Sequence, residues 1–184
     1  MMTARQSPAE REAEEIPFLW LLSDARNDEG LEDALRGLPE GSGFVFRHYH
    51  LAPDARRARF DELARLARDG GHVVILAGPE DWDADGHYGP PEALGPGLRL
   101  ATAHDGDELM AAVSAGADGI FLSPVFPTAS HPGAATLGVL GFRVLAQQSP
   151  VPVIALGGMN ETRARELDWP RWGAIDGLGS TKVA

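Results

Sequence analysis

From Phe18 onward, short apolar runs alternate with stretches in which apolar positions recur at helical spacing, the sequence form of repeated βα units on a parallel sheet. The runs FLWLLSD (18–24), GFVFRHY (43–49), HVVILAG (72–78), LRLATAH (98–104), GIFLSP (119–124), PVIALGG (152–158) and AIDGLGS (174–180) predict strands, and DGHYG (85–89) a weaker one. Helices are expected over 53–69, where Phe60, Leu63, Leu66 and Ala67 recur at helical spacing, and over 106–115, 138–148 and 161–168. Eight strands are what a closed (β/α)8 barrel needs, so the fold class expected is α/β, a TIM barrel. An open flavodoxin-like sheet of five or six strands is the competing architecture.

The same pattern predicts a trimmed barrel. The connections PEDWDA and PPEALGPG are too short for full helices, and the sequence ends four residues beyond Ser180, so no C-terminal helix 8 is expected. At 184 residues, 43% of them apolar, the chain fits one domain below the usual ~200-residue size of such barrels. Residues 16–184 are assigned to it, with 1–15, MMTARQSPAEREAEE, as a flexible acidic tail. That tail lacks a hydrophobic leader core and no apolar run approaches the roughly 18 residues of a membrane span, which predicts a soluble, cytoplasmic protein with no membrane partner.

Charge narrows the function classes. Sixteen Lys and Arg stand against 27 Asp and Glu, a net charge of −11, which argues against nucleic acid as a partner. A local anion site remains open, because backbone NH groups bind anions without formal charge. The absence of cysteine excludes thiolate nucleophiles, disulfides and Cys-ligated zinc.

In either architecture ligands gather at the C-terminal ends of the strands. The residues placed there are Asp24, Arg47, Tyr49, Gly78, His87, Tyr88, His104, Ser123, Gly157, Gly158, Gly179 and Ser180. ALGGMN and GLGS end the seventh and eighth strands, where barrels of this kind often build a phosphate site, so Gly157, Gly158, Gly179 and Ser180 are read as a phosphate cup. The alternative for each is a simple tight turn. His104 ends a strand before the acidic helix start DGDEL and is the candidate acid/base, beside the reading of a packed or solvated residue. His48 and His50 share one strand face and could suit a metal, but the reading preferred turns them outward and points Arg47 and Tyr49 inward. Asp81, Asp83 and Asp85 are read as a solvated connector, and Arg56, Arg57, Arg59, Arg65 and Arg68 as an ordinary exposed helix face.

The stretch GADGIFLSPVFPTASHPGAATLG (116–138), followed by FRVLAQQSPVPVIALGGMN (142–160), resembles the thiamine-phosphate synthase family and its TenI branch of thiazole tautomerases. The resemblance covers residues 98–180 well; LWLLSDAR and VFRHY match the first half only in outline. It implies a (β/α)8 barrel of thiamine biosynthesis whose ligand is a small phosphorylated thiazole, and a homodimer is compatible with it. Residue by residue, Thr128 and Ser130 match the hydroxyls of the FPTxT motif, Gly158 the phosphate-binding glycine, and Ser180 the serine ending strand eight. Arg47 matches a strand-two arginine, while Thr102 and His104 match the S-x-H whose histidine is the acid/base of the tautomerase branch. Tyr49, Ala77 with Gly78, and His131 depart from the synthase pattern, which puts lysine, an Asn-Asp pair and lysine there. Mg²⁺ is therefore implied only if the synthase reaction is retained, with Glu92 as the sole candidate ligand for the second metal position. Three functions follow: synthase, joining thiazole phosphate to hydroxymethylpyrimidine pyrophosphate; tautomerase through His104; or a catalytically degenerate barrel that binds a phosphorylated ligand.

Overall fold

The apolar runs pair into a sheet that closes on itself. The computed structural model describes residues 16–129 and 132–178. Eight parallel strands, β1 (Leu19–Leu22), β2 (Gly43–Phe46), β3 (Val73–Ala77), β4 (Gly86–Gly89), β5 (Leu98–Ala103), β6 (Gly119–Leu122), β7 (Val153–Ala155) and β8 (Trp172–Ala174), run in sequence order around a closed barrel. β8 closes it against β1, with Leu19 opposite Trp172 and Leu21 opposite Ala174. The open-sheet alternative is thereby excluded.

Alternation along the strands sorts side chains into two layers. Trp20, Val45, Ile75, Leu100, Phe121 and Ile154 fill the barrel interior as one buried cluster. The Trp20 ring meets Phe121 edge-on at 5.5 Å, and Phe121 meets Tyr88 at 5.2 Å. Gly43 makes the space: a Cβ there would fall inside the Trp20 ring. The intervening residues face the outer helices. Phe44, Phe46 and Leu76 pack with α1 (Leu31–Gly37) and α2 (Pro53–Asp69). Ala101, Ile120 and Leu122 pack with α3 (Gly106–Ser114), α4 (Gly138–Ala146) and α5 (Glu161–Leu167).

Trimming falls where the short connections predict it. No helix joins β3 to β4, where Asp81, Asp83 and Asp85 are exposed, and only a 3-10 turn over Pro91–Ala93 joins β4 to β5. The expected tail (1–15) and the missing eighth helix lie outside the described residues. α1 is an addition to the helices read from sequence, and it buries Leu31, Ala34 and Leu35 at i, i+3, i+4 spacing.

Two expectations are corrected. The eighth strand is Trp172–Ala174, not 174–180. Its last ladder pair with β1 is Ala174 opposite Leu21; beyond it the Ile175 carbonyl accepts from the Asn27 side-chain amide at 2.8 Å, and Leu178 packs against the outer clusters. The basic face of α2 is also not uniformly exposed. Arg56 is buried, donates to the carbonyls of Arg47 and Ala77 and to Glu80, and stacks on Phe46 and Trp82. Those carbonyls lie just past the end of β2 and at the end of β3, and the guanidinium supplies the donors that the finished ladder no longer does. Arg59 likewise joins Asp28, Glu32 and Glu62 in one ionic network.

Candidate active site

A cavity of about 880 Å³ opens at the C-terminal ends of the strands, where the fold places ligands. Arg26 and Arg47 stand on its β1–β2 side. Asp24 pairs with both at 3.3 Å, and Arg26 also reaches Asp176 at 3.4 Å. β2 stops at Phe46, and His48 takes a left-handed φ of 41° as the chain turns. Arg47 and Tyr49 therefore line the cavity while His48 turns outward, beneath the helices, and His50 is exposed. This is the orientation preferred from the strand alternation.

His48 belongs to a chain of hydrogen bonds that holds Arg47. The Arg47 NH donates to Ser23 Oγ at 2.8 Å, Ser23 Oγ lies 2.7 Å from His48 Nδ1, and His48 Nε2 lies 2.8 Å from Asp28 Oδ1. A carboxylate only accepts, so Nε2 carries the proton and Nδ1 accepts from the serine hydroxyl. Burial pushes the His48 imidazole below its ordinary range, against the upward pull of Asp28. Burial also pushes the Asp28 carboxyl up, but donation from His48 and Arg59 outweighs it and holds the carboxyl below its usual range. Both shifts have the same sign in stability. A folded-state pKa below the unfolded one gives stability present above the unfolded value and lost as pH falls through the folded one. The His48 shift is therefore expected to lower the melting temperature on acidification from pH 7 to 5, the Asp28 shift acting only below 3.8, and His48→Gln should flatten the decline between pH 7 and 5 by a few degrees, ~1 kcal/mol being worth about 2–4 °C in a domain of this size. Differential scanning calorimetry of the two proteins checks this; parallel curves would contradict it.

His104 stands on the opposite wall, directly after β5, with Thr102 beside it in the cavity lining. α3 is what fixes it. Asp105 is the N-cap and accepts from the Glu108 NH at 2.9 Å, a cap worth about 1 kcal/mol. The Glu108 carboxylate then reaches back, accepting from the His104 backbone NH and from the ring Nδ1, each at 2.8 Å. Because the carboxylate cannot donate, Nδ1 carries a proton, and in the neutral imidazole the lone pair is then on Nε2, toward a ligand. Tyr88 adds a neutral hydroxyl nearby, since burial pushes its phenol up to about 12.

The third wall is formed by the loops after β6 and β7. Gly157 and Gly158 have φ of 93° and 63°, backbone conformations that favour glycine, and both line the cavity with Thr128. A Cβ on Gly158 would overlap the Pro127 carbonyl oxygen and lie 2.9 Å from Arg163 Nη1. Arg163 donates to the Gly158 carbonyl at 2.5 Å and stacks on the Phe126 ring, 5.1 Å away. It thereby ties the two loops together.

The structure brings Arg47, Thr102, His104, Thr128, Gly157 and Gly158 around one cavity. Ser130, His131, Gly179 and Ser180 lie outside the described residues. His87 is buried and turned away, its ring nitrogens facing the carbonyls of Pro96 and Glu80. Glu92 does not fit a metal role here: it is exposed on the 3-10 turn and does not line the cavity. Among the described lining residues Asp176 is the only carboxylate, and Arg26 holds it, so this donor set does not fit Mg²⁺. Asp28, His48 and His50 lie close enough together for a metal, yet the first two already satisfy one another, and none of the three lines the cavity. Arg26, Asn160 and Arg163 were not among the residues read as site candidates. Each lies beyond a strand end, in a loop or on a helix start, where alternation no longer says which way a side chain points.

Fold and cavity position define a class: a (β/α)8 barrel whose ligand site lies at the C-terminal ends of its strands. Residues 92–168 match the family model described as thiamine monophosphate synthase. The chain is 32% identical over 163 residues to a thiamine-phosphate synthase of Pyrococcus furiosus, covering 81% of this chain and 79% of that protein. It is 35% identical over 120 residues to one of Chloroflexus aurantiacus, where the match spans 58% of this chain and 56% of that protein. The solved structure titled thiamine phosphate pyrophosphorylase from Pyrococcus furiosus superposes with a TM-score of 0.72 at 23% identity, covering 90% of this chain and 89% of that one. The chain belongs to the thiamine-phosphate synthase family of thiamine biosynthesis. Among the described residues, no helix is long and apolar enough to cross a membrane.

Proposed function

We propose that this cavity binds a thiazole phosphate, with the phosphate in the loops after β6 and β7, and that His104 moves a proton on a carboxylated form of that ligand. The observation that carries the reading is the pairing of His104 with Glu108 on the same cavity that Gly157 and Gly158 line. An isomerisation of this kind needs one held acid/base and an anion anchor. The lone pair on Nε2 takes a proton from the ligand, Glu108 holds the resulting imidazolium, and the same proton returns at a second ligand position, so nothing is gained or lost. Arg47, on the facing wall, supplies a cation for the ligand carboxylate.

The second reading is the coupling reaction named in the relatives' titles, favoured by the pair Arg26 and Arg47 at the mouth. Its pyrophosphate leaving group calls for charge that these two arginines, already shared with Asp24, supply only in part. The test supplies purified protein with thiazole phosphate, hydroxymethylpyrimidine pyrophosphate and Mg²⁺, and scores thiamine phosphate. No product above a no-enzyme control is expected; sustained product formation would establish the second reading. Ligand binding with neither reaction would identify a barrel that binds without chemistry.

A further inference from the structure

Three arginines line the cavity, and they are not equivalent. Arg26 and Arg47 share the one carboxylate of Asp24, and Arg26 also pairs with Asp176, so each meets at least one carboxylate. Arg163 is in no ion pair among the described residues. Its partners are a carbonyl and an aromatic face. A guanidinium has five donor hydrogens in a planar fork, and the Gly158 carbonyl takes up one of its nitrogens, Nη1. The group is half-buried and lines the cavity beside two glycines whose left-handed backbone brings the main chain close. In a chain of net charge −11, a cation left without a carboxylate at a cavity wall is charge available to a ligand.

We infer that Arg163 is an anion-binding residue of this site, completing a subsite for a phosphate monoester dianion together with Gly157, Gly158 and Thr128. This rests on the placement of the ligand phosphate in the loops after β6 and β7. The Phe126 stack and the Gly158 carbonyl fix the plane of the guanidinium, so its remaining NH groups are held in orientation before the ligand arrives. Backbone NH groups alone accept mono- and dianions with modest preference. A fixed guanidinium favours the dianion and so sets the substrate class: terminal phosphate esters above the second phosphate pKa of about 6.

The experiment titrates full-length wild type, Arg163→Gln, Arg163→Ala and Gly158→Asp with inorganic phosphate and, separately, with thiazole phosphate, by calorimetry at pH 7.5 and 5.5. Arg163→Gln is expected to weaken both ligands by about tenfold or more, the scale of a lost charge-assisted hydrogen bond. Wild type should bind more tightly at pH 7.5 than at 5.5, and the variant should lose that preference. Millimolar guanidinium should restore phosphate binding to Arg163→Ala but not to Gly158→Asp, a rescue that a purely structural role for Arg163 would not show. Wild-type affinity for inorganic phosphate in Arg163→Gln would overturn the inference and leave the thiazole reading intact. Binding of inorganic phosphate but not of thiazole phosphate, with the Arg163 dependence preserved, would overturn the thiazole reading alone. No phosphate binding by wild type would overturn both.

Discussion

Replacing His104 by alanine is expected to lower turnover of a carboxylated thiazole phosphate by roughly 10²–10⁴-fold, the range removed with a positioned acid/base, while thiazole phosphate still binds within about twofold of wild type. The two readouts separate because the imidazole and the glycine loops occupy different walls of the cavity. Glu108 sharpens the expectation. Its carboxylate accepts from both the backbone NH and the ring of His104, which sets the ring orientation and leaves the lone pair on Nε2. Glu108→Gln replaces an acceptor by a group that can also donate, so the ring can take the tautomer with the proton on Nε2. That variant should lose turnover as well, with binding and melting temperature almost unchanged, because the pair is largely solvent-exposed and contributes little to stability. Steady-state kinetics with calorimetry on the three proteins checks this. Unchanged turnover in His104→Ala would remove the histidine from the chemistry.

The second large effect is expected at Gly158. Aspartate there must adopt φ near 63°, which costs about 1–2 kcal/mol for a residue with a Cβ. The new Cβ would overlap the Pro127 carbonyl oxygen and crowd Phe126 Cβ at 3.1 Å, so the loops after β6 and β7 must part. The new carboxylate also sits beside Arg163 and competes for the charge assigned to the ligand. Thiazole phosphate affinity should fall by at least about 100-fold, roughly 3 kcal/mol, with a lower melting temperature from the strained loop. Isothermal titration gives the affinity directly. Wild-type affinity in a folded Gly158→Asp protein would mean that the phosphate is bound elsewhere.

Much of the barrel is legible in the sequence because each βα unit repeats the same physical problem. Short apolar runs of four to seven residues, rich in Val, Ile and Phe and bounded by Gly and Pro, fit a strand buried between layers, and the helical spacing of Phe60, Leu63 and Ala67 turns one helix face inward. Strand ends are less legible. Residues 174–180 read as a strand because apolar and small residues alternate there, but the last ladder pair is Ala174 opposite Leu21, and the next carbonyl, Ile175, accepts from a side chain 148 residues away, the Asn27 amide. No local pattern carries that contact. Arg56 was misread for a related reason: its surroundings in sequence are an ordinary mixed-charge helix, and only the ends of β2 and β3 in space explain its burial.

The site divides the same way. The glycine pair after β7 and the histidine after β5 were readable because backbone conformation and strand position constrain them directly. Arg163 was not, since ETRAREL looks like any solvated helix start; the Phe126 ring and Gly158 carbonyl that orient it come from other segments. After β3, Ala77 and Gly78 themselves carry no carboxylate, and the next one, Glu80, is paired with Arg56 at 2.6 Å. What the sequence did not reveal was that Arg56 already serves the Ala77 carbonyl there.

The measurement that bears most directly on the proposed chemistry is proton-transfer turnover without metal. Wild-type protein in buffer with a chelator is supplied with carboxylated thiazole phosphate, and the isomer ratio is followed by proton NMR. Conversion well above the uncatalysed rate, unchanged when Mg²⁺ replaces the chelator and abolished in His104→Ala, is the expected result. No conversion by protein that binds the ligand, or conversion that appears only with Mg²⁺ or persists without His104, would contradict it.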